Sequence, residues 1–294
     1  MTAFTLEKPR QARSAPAARP PRRRRIGGPP RLAVIGPLVL YLVFTLLPFY
    51  WMIAFALRPA RSTALVPWPV TLDHFRTVWN GIGFGVFFRN SVIVAIAVQV
   101  LVDVFALAGG YALARYRFRG RKLFLIGLLC TQFIPGAMLL IPLFVIFRHL
   151  GLINNLASLV IADTAFQIPL ALILMSGFVA SVPVELEEAA MVDGCSRLRA
   201  FLAVVLPLLR PGLVAVGSFA FIGSWNNFLF ALMFMSEQDR FTIPVGLSYT
   251  IGEYSTDFGA LAAGGIVAAV PVVLVFALIQ RYLVQGLSAG AVKG

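Results

Sequence analysis

The stretch EEAAMVDGCSRLRAFLAVVLPLLRP, residues 187–211, decides how the chain is read. It gathers Glu187, Glu188, Asp193, Arg197 and Arg199 around Gly194, and it lies between two long apolar runs. Hydrophobic residues make up 59% of the 294, charged residues only 13%, and the mean hydropathy is +0.87, so too few polar side chains exist to cover a soluble globule. The chain is an integral membrane protein, and its charged stretch is a segment between spans.

Working outward, the apolar runs are 32–57, 86–114, 123–147, 153–180, 205–235 and 258–284. Each holds the ~20 residues that a bilayer core requires, which predicts six transmembrane helices in one polytopic all-α domain, 32–294. The first run has no small-residue cleavage pattern and is expected to be a retained span. Residues 1–31, rich in Arg, Pro and Ala, lack helical periodicity and are expected to form a disordered basic arm.

The formal net charge of +13 is a matter of placement. Of 25 Lys and Arg, nineteen fall in residues 1–31, 115–122, 181–211 and the C-terminus, all on one side of a six-span chain. Arg58, Arg61, Arg76, Arg89, Arg148 and Arg240 fall toward the other side, beside the acids Asp73, Glu237, Asp239, Glu253 and Asp257. The positive-inside rule then puts both termini and residues 187–211 in the cytoplasm of a multi-pass inner or plasma membrane protein. Basic clusters flanking spans are contacts to membrane lipids, not a nucleic-acid surface.

Cys130 and Cys195 have no nearby His or Cys, so neither a disulfide framework nor a metal site is expected, and both are read as packing residues. His74 and His149 are each solitary. Small residues recur at four-residue spacing as Ala106, Gly110 and Ala114, and as Ala260, Gly264 and Ala268, each set on one helix face suited to close packing.

Inside the charged stretch, Pro183 followed by Glu185, Glu187 and Glu188 predicts a helix start, with the carboxylates at the positive end of its dipole. Gly194 interrupts the helix, and a second helical run begins near Ser196 with Phe201, Val204 and Val205 on one stripe. This helix–turn–helix has an acidic tip and an apolar spine, as an element inserted into the groove of a soluble partner would have. Pro207 and Pro211 mark the return to the membrane.

Uncompensated polar groups inside spans are costly and therefore informative. Trp225, Asn226 and Asn227 are expected near the midpoint of the fifth span; Gln132, Asp163 and Gln167 lie in the third and fourth, and Asp103 in the second. A ring beside amides suits a sugar, because rings cover the apolar faces of pyranoses and amides bond hydroxyls. Gln132, Gln167, Trp225, Asn226 and Asn227 form the candidate substrate-pathway set; the competing role for the fifth-span cluster is interhelical bonding. No phosphate-cradling glycine motif is present, so an enzymatic role and a cofactor are not expected.

The segment EAAMVDGCSRLRAFLAVVLPLLRP resembles the EAA signature of ABC importer permeases: Glu188, Ala189, Ala190, Asp193, Gly194, Phe201, Leu206, Pro207 and Pro211 match, with Cys195 where Ala is commoner. NSVIVA (90–95), YALARYRFRGRK (111–122), IPLFVIFRHLGLINN (141–155), SWNNFLFAL (224–232) and the terminal GLSAGAVKG resemble the carbohydrate, maltose-permease-like branch. The resemblance implies a coupling helix between spans 4 and 5 that docks on a cytoplasmic ATPase dimer, with Glu188 and Gly194 central. Glu187, Ala189, Ala190, Asp193, Phe201 and Pro207 complete the ATPase-coupling set. It also implies a second homologous permease subunit, an extracytoplasmic substrate-binding protein, and a sugar or oligosaccharide cargo. A glycerol 3-phosphate importer of the same type, a proton-coupled secondary transporter using Asp103 and Asp163, and a non-transporting scaffold are the alternatives.

Overall fold

The computed structural model describes residues 31–59, 66–250 and 257–291, with side chains for residues 34–59, 66–250 and 257–280. Within these residues the chain is helical and without a β-strand. Apart from Arg31, the basic arm lies outside the described residues, as do Arg61, Glu253 and the last three positions of the terminal motif.

Two units divide the chain, residues 1–47 and 48–294. The described part of the first is the opening of α1 (Arg31–Leu57), an apolar helix. In the second, the rest of α1 is followed by α2 (Asp73–Arg76), a π turn (Thr77–Gly81), α3 (Phe84–Arg115), α4 (Arg121–Thr131), a 3-10 turn (Gly136–Leu139), α5 (Leu140–His149) and α6 (Leu156–Ser181). Next come α7 (Val184–Val192) and α8 (Arg197–Ala200), which runs through a π turn (Phe201–Val205) into α9 (Leu206–Leu208). The chain closes with α10 (Arg210–Trp225), α11 (Leu229–Phe234), a 3-10 turn (Gln238–Arg240), α12 (Ile243–Ser248) and α13 (Phe258–Ala291).

Four helices are long and apolar enough to cross a membrane unbroken: Val34–Leu57, Phe84–Arg115, Leu156–Ser181 and Phe258–Gln280. The third expected run is bent by 87° between Arg121–Thr131 and Gly136–His149, and the fifth by 71° between Arg197–Leu208 and Arg210–Trp225. Proline stands at both places, where it removes a backbone donor from the helical ladder. Pro135 stands at the first break, and Pro207 and Pro211 flank the second. The fifth run also stops earlier than its composition predicts. Helix α10 ends at Trp225 and α11 starts only at Leu229, so Trp225, Asn226 and Asn227 mark a helix end instead of a helix midpoint.

Helix α3 is the centre of the second unit. Val94, Val98, Val102 and Ala106 recur every fourth position, so they share one face, and all are buried. They join Met175 and Val179 of α6 and Val216 and Ala220 of α10 in one core. A Cβ on Gly110 would stand 2.8 Å from Met175 Cβ and 3.0 Å from the Ser176 nitrogen, so α3 and α6 approach to a distance that only glycine permits. On α13, Gly264 meets the Leu247 side chain and Phe84. Both small-residue stripes therefore pack against helices of this chain.

At the end of the bundle opposite α7, polar side chains tie the connections to α3 and α6. Asn90 Nδ2 donates to the carbonyls of Asp239 and Phe241, both at 2.9 Å, and Ile243 N donates to Ser91 Oγ. Asn154 Oδ1 accepts from the Ser236 and Glu237 amides, and Asn155 caps α6 through the Ala157 amide. His74 is not solitary: its Nδ1 lies 3.8 Å from Asp257 Oδ1 and its ring presses on Gly259. Both cysteines are free, but Cys130 is exposed on α4 instead of packed, because α4 turns much of its apolar surface outward.

Candidate functional site

The stretch at 187–211 folds as a helical hairpin. Pro183, with ψ 135°, precedes α7 and places Glu185 and Glu187 in its first turn. The helix closes in a Schellman arrangement: the Cys195 amide donates to the Ala190 carbonyl and the Gly194 amide to Met191, with Gly194 at φ +87°. That left-handed conformation is open to glycine at little cost and strained for other residues. Ser196 then caps α8 by accepting from the Arg199 amide at 3.4 Å.

The two adjacent glutamates differ in exposure. Glu188, Ala189, Asp193 and Gly194 are exposed, Ala190 is half-buried, and Val192 and Leu198 add exposed apolar surface at 87% and 67%. Glu187 turns inward instead. Its Oε1 accepts from Arg115 Nε at 2.6 Å and its Oε2 from Tyr111 Oη at 2.7 Å, while Arg115 Nη2 donates to the Val182 carbonyl at 2.9 Å. The Glu187 and Arg115 side chains are 8% and 10% exposed, so this buried pair fixes the base of the hairpin to the end of α3. Phe201 packs edge-on against Tyr111 with ring centroids 4.8 Å apart, and Pro207 lies exposed at the bend. In the sequence Arg115 reads as one more topology charge, and nothing in its spacing marks Glu187 as its partner.

The predicted pathway residues come together around a second feature. Asp163 and Gln167, one turn apart on α6, line a cavity of about 430 Å³ with Asn226 and Asn227 from the break after α10 and the rings of Phe166, Phe228 and Phe230. The volume is within the ~300–1,000 Å³ usual for small-molecule sites. Asp163 is 4% exposed; its Oδ2 accepts from Ser224 Oγ at 2.6 Å and its Oδ1 from Asn227 Nδ2. Asn227 Oδ1 in turn accepts from the Phe230 amide in the first turn of α11 at 3.1 Å, so one amide side chain is bonded at both ends. A Cβ on Gly223 would lie 2.8 Å from Gln167 Oε1, which puts the α10 backbone directly against that amide. Gln132 donates to the Phe166 carbonyl at 3.3 Å and shares with Gln167 an adjoining cavity of about 180 Å³.

Trp225 is outside this group. It is 3% exposed, stacks on Phe221 at 5.5 Å and donates from Nε1 to the Ala268 carbonyl of α13 at 3.1 Å, so its contacts are those of a helix-joining residue. Asp103 is elsewhere too, pressed on Gly217 of α10, with its Oδ1 buried and without a hydrogen-bond partner among the described residues. Ser224, which completes the Asp163 cluster, was missed; a polar residue directly beside Trp225–Asn227 was the available signal. Among the described residues no group of His, Cys, Asp or Glu is arranged to hold a metal.

The chain is similar to known transport proteins. The family described as "binding-protein-dependent transport system inner membrane component" matches residues 106–289. The diacetylchitobiose uptake system permease protein DasC of Streptomyces coelicolor is 37% identical over 261 residues, 87% of this chain and 95% of that one. The arabinooligosaccharides transport system permease protein AraQ of Halalkalibacterium halodurans is 36% identical over 78% of this chain and 81% of its own length. The trehalose transport system permease protein SugB of Mycobacterium tuberculosis is 34% identical over 85% and 93%. Among solved structures, a bacterial ABC transporter involved in the import of the acidic polysaccharide alginate shares the fold, with a TM-score of 0.72 at 24% identity over 86% of this chain and 96% of the other. With a polytopic helical bundle, an exposed EAA hairpin and a family match across most of the bundle, the chain belongs to the inner membrane components of binding-protein-dependent transport systems, a multi-pass permease.

Proposed function

We propose that this chain is the six-span permease subunit of an ATP-driven importer for a sugar or oligosaccharide, and that residues 184–208 are its coupling element. In this reading each bent pair counts as one span, residues 1–31 are a cytoplasmic arm and 32–294 the transmembrane domain. Both termini are cytoplasmic, because nineteen of the 25 basic residues then lie inside. A second homologous permease completes the path, an extracytoplasmic binding protein delivers the cargo, and a dimer of cytoplasmic ATPase subunits receives the α7–α8 tip. Glu188 and Gly194 are central to that dock, flanked by Ala189, Ala190 and Asp193, while Phe201 and Pro207 shape the return to the membrane.

The observation that carries this reading is the hairpin: Glu188 and, at its turn, Gly194 are exposed, while Glu187, beside Glu188, bonds the hairpin to α3. A tip fixed at its base passes a partner's movement into the spans, whereas a loop lying on anionic headgroups would set Glu185 and Glu188 against like charge. Relatives named for diacetylchitobiose, arabinooligosaccharides and trehalose support a saccharide cargo. So does a cavity in which rings adjoin amides; Gln132, Gln167, Asn226 and Asn227 are this chain's contribution to the path.

The test is ATP-dependent uptake of radiolabelled saccharides and glycerol 3-phosphate into proteoliposomes holding the co-purified assembly, wild type against Gly194→Asp. A saccharide is expected to accumulate, and the variant to lose most of its uptake, because a side chain then stands at the exposed turn that Gly194 leaves bare. The new carboxylate also adds like charge beside Asp193. Accumulation that persists without the ATPase subunits overturns the proposal.

A further inference from the structure

The cavity beside the α10–α11 break also has a charge character. Among its polar lining groups, Gln167, Asn226 and Asn227 are neutral amides and Asp163 is an acid, and among the described residues no lysine, arginine or histidine lines it. Among the described residues, no charged side chain lines the adjoining cavity at Gln132. Asp163 is not neutralised by a cation: the partners of its two oxygens are the Ser224 hydroxyl and the Asn227 amide, both uncharged donors. A carboxylate held among apolar walls projects its field into the adjoining space with little screening. An anionic cargo would meet that field and find no cation to pair with, at the usual cost of an unpaired charge. Neutral hydroxyls would find amides that both donate and accept, with the rings of Phe166 and Phe230 alongside.

We infer that this chain's part of the translocation path admits neutral saccharides and discriminates against anionic ones, uronates and phosphate esters included, with Asp163 as the discriminating group. This rests on the saccharide-permease reading above and gives the charge class of cargo for the same cavity.

The experiment reads the field without needing the cargo. In the full assembly in proteoliposomes, with Cys130 and Cys195 replaced by serine, Asn226→Cys is treated with neutral, cationic and anionic methanethiosulfonate reagents of similar size. Each rate is normalised to that reagent's rate with free cysteine. The anionic reagent is expected to lag the neutral one by about tenfold, as electrostatic focusing in a cleft produces. Asp163→Asn, which keeps the shape of the side chain, should bring the ratio back near unity. Should that variant not assemble, the ratio in Asn226→Cys alone still decides. An anionic reagent as fast as the neutral one overturns the inference, and so does ATP-driven accumulation of oligouronates or glycerol 3-phosphate at the rate of neutral oligosaccharides. Failure of the saccharide-permease reading is distinct: no saccharide accumulates with ATP, and the reagent ratio is unaffected.

Discussion

The α7–α8 hairpin takes its shape from one short run of sequence, with Pro183 to start it, Gly194 to turn it and Ser196 to restart it. The Asp163 cavity is assembled from distant pieces: Gly136 beside one helix break, α6, and Asn226 to Phe230 across another. The hairpin has to present one rigid tip, and a contiguous segment with its own turn and cap provides that. A polar cavity within apolar spans needs donors and acceptors freed from helical ladders, and broken helices supply them only where tertiary packing brings the breaks together. The two regions meet on the same scaffold, α3 packed on α6 and α10, so damage to either can be told apart from damage to what holds both.

The largest effect is expected at the hairpin's base. Arg115→Ala leaves the buried Glu187 carboxylate with only the Tyr111 hydroxyl, and removing one partner of a buried pair typically costs ~3–5 kcal/mol. The purified assembly should unfold at a lower temperature, and its ATPase should no longer respond to cargo-loaded binding protein. Replacing both partners, Arg115→Met with Glu187→Leu, should recover most of the thermal loss, because no unpaired charge remains. A single variant that keeps both wild-type stability and stimulation would mean that the hairpin is not held through α3, and the comparison would collapse.

Much of this was written in the sequence, and what was not has identifiable reasons. The hairpin was legible because proline, glycine and clustered charge each dictate local backbone. That Glu187 turns inward and Glu188 outward was not, since adjacent helical positions are ~100° apart and only the position of α3 says which one is covered. The break at Pro135–Gly136 carried a turn signal inside an apolar run, and there span length overrode it. The break at Asn226 carried none: residues 205–235 read as one apolar run, and it is the bonding of Asn227 to both Asp163 and the Phe230 amide that ends one helix and starts the next. The polar cluster was visible as residues, its geometry only as structure.

The scaffold shared by both regions is tested next. Gly110→Ala forces a methyl to within 2.8 Å of Met175 Cβ and 3.0 Å of the Ser176 backbone nitrogen, and backbone cannot give way as a side-chain end can. Overpacking of this kind costs ~1–3 kcal/mol. The expected result is a lowered unfolding temperature accompanied by proportionate loss of both ATPase stimulation and uptake. A variant that loses one activity and keeps the other would mean that α3 and α6 do not carry the hairpin and the cavity as one body.

The smallest effect separates neighbours at the end of α10. Trp225 donates to the Ala268 carbonyl and stacks on Phe221, so Trp225→Phe removes one hydrogen bond worth ~0.5–1.5 kcal/mol and keeps most of the ring contact. Asn226 is exposed and lines the cavity, and among the described residues its side chain bonds only to the Ile222 carbonyl, at 3.0 Å. Trp225→Phe should therefore lower the unfolding temperature slightly and leave the KM for the transported saccharide unchanged. Asn226→Ala should do the reverse, raising KM severalfold, by the ~1 kcal/mol of a lost hydrogen bond, at unchanged stability. If instead Trp225→Phe raises KM as much as Asn226→Ala, the indole belongs to the path in a conformation that turns it away from α13, and the boundary between packing and passage lies one residue earlier than the cavity places it.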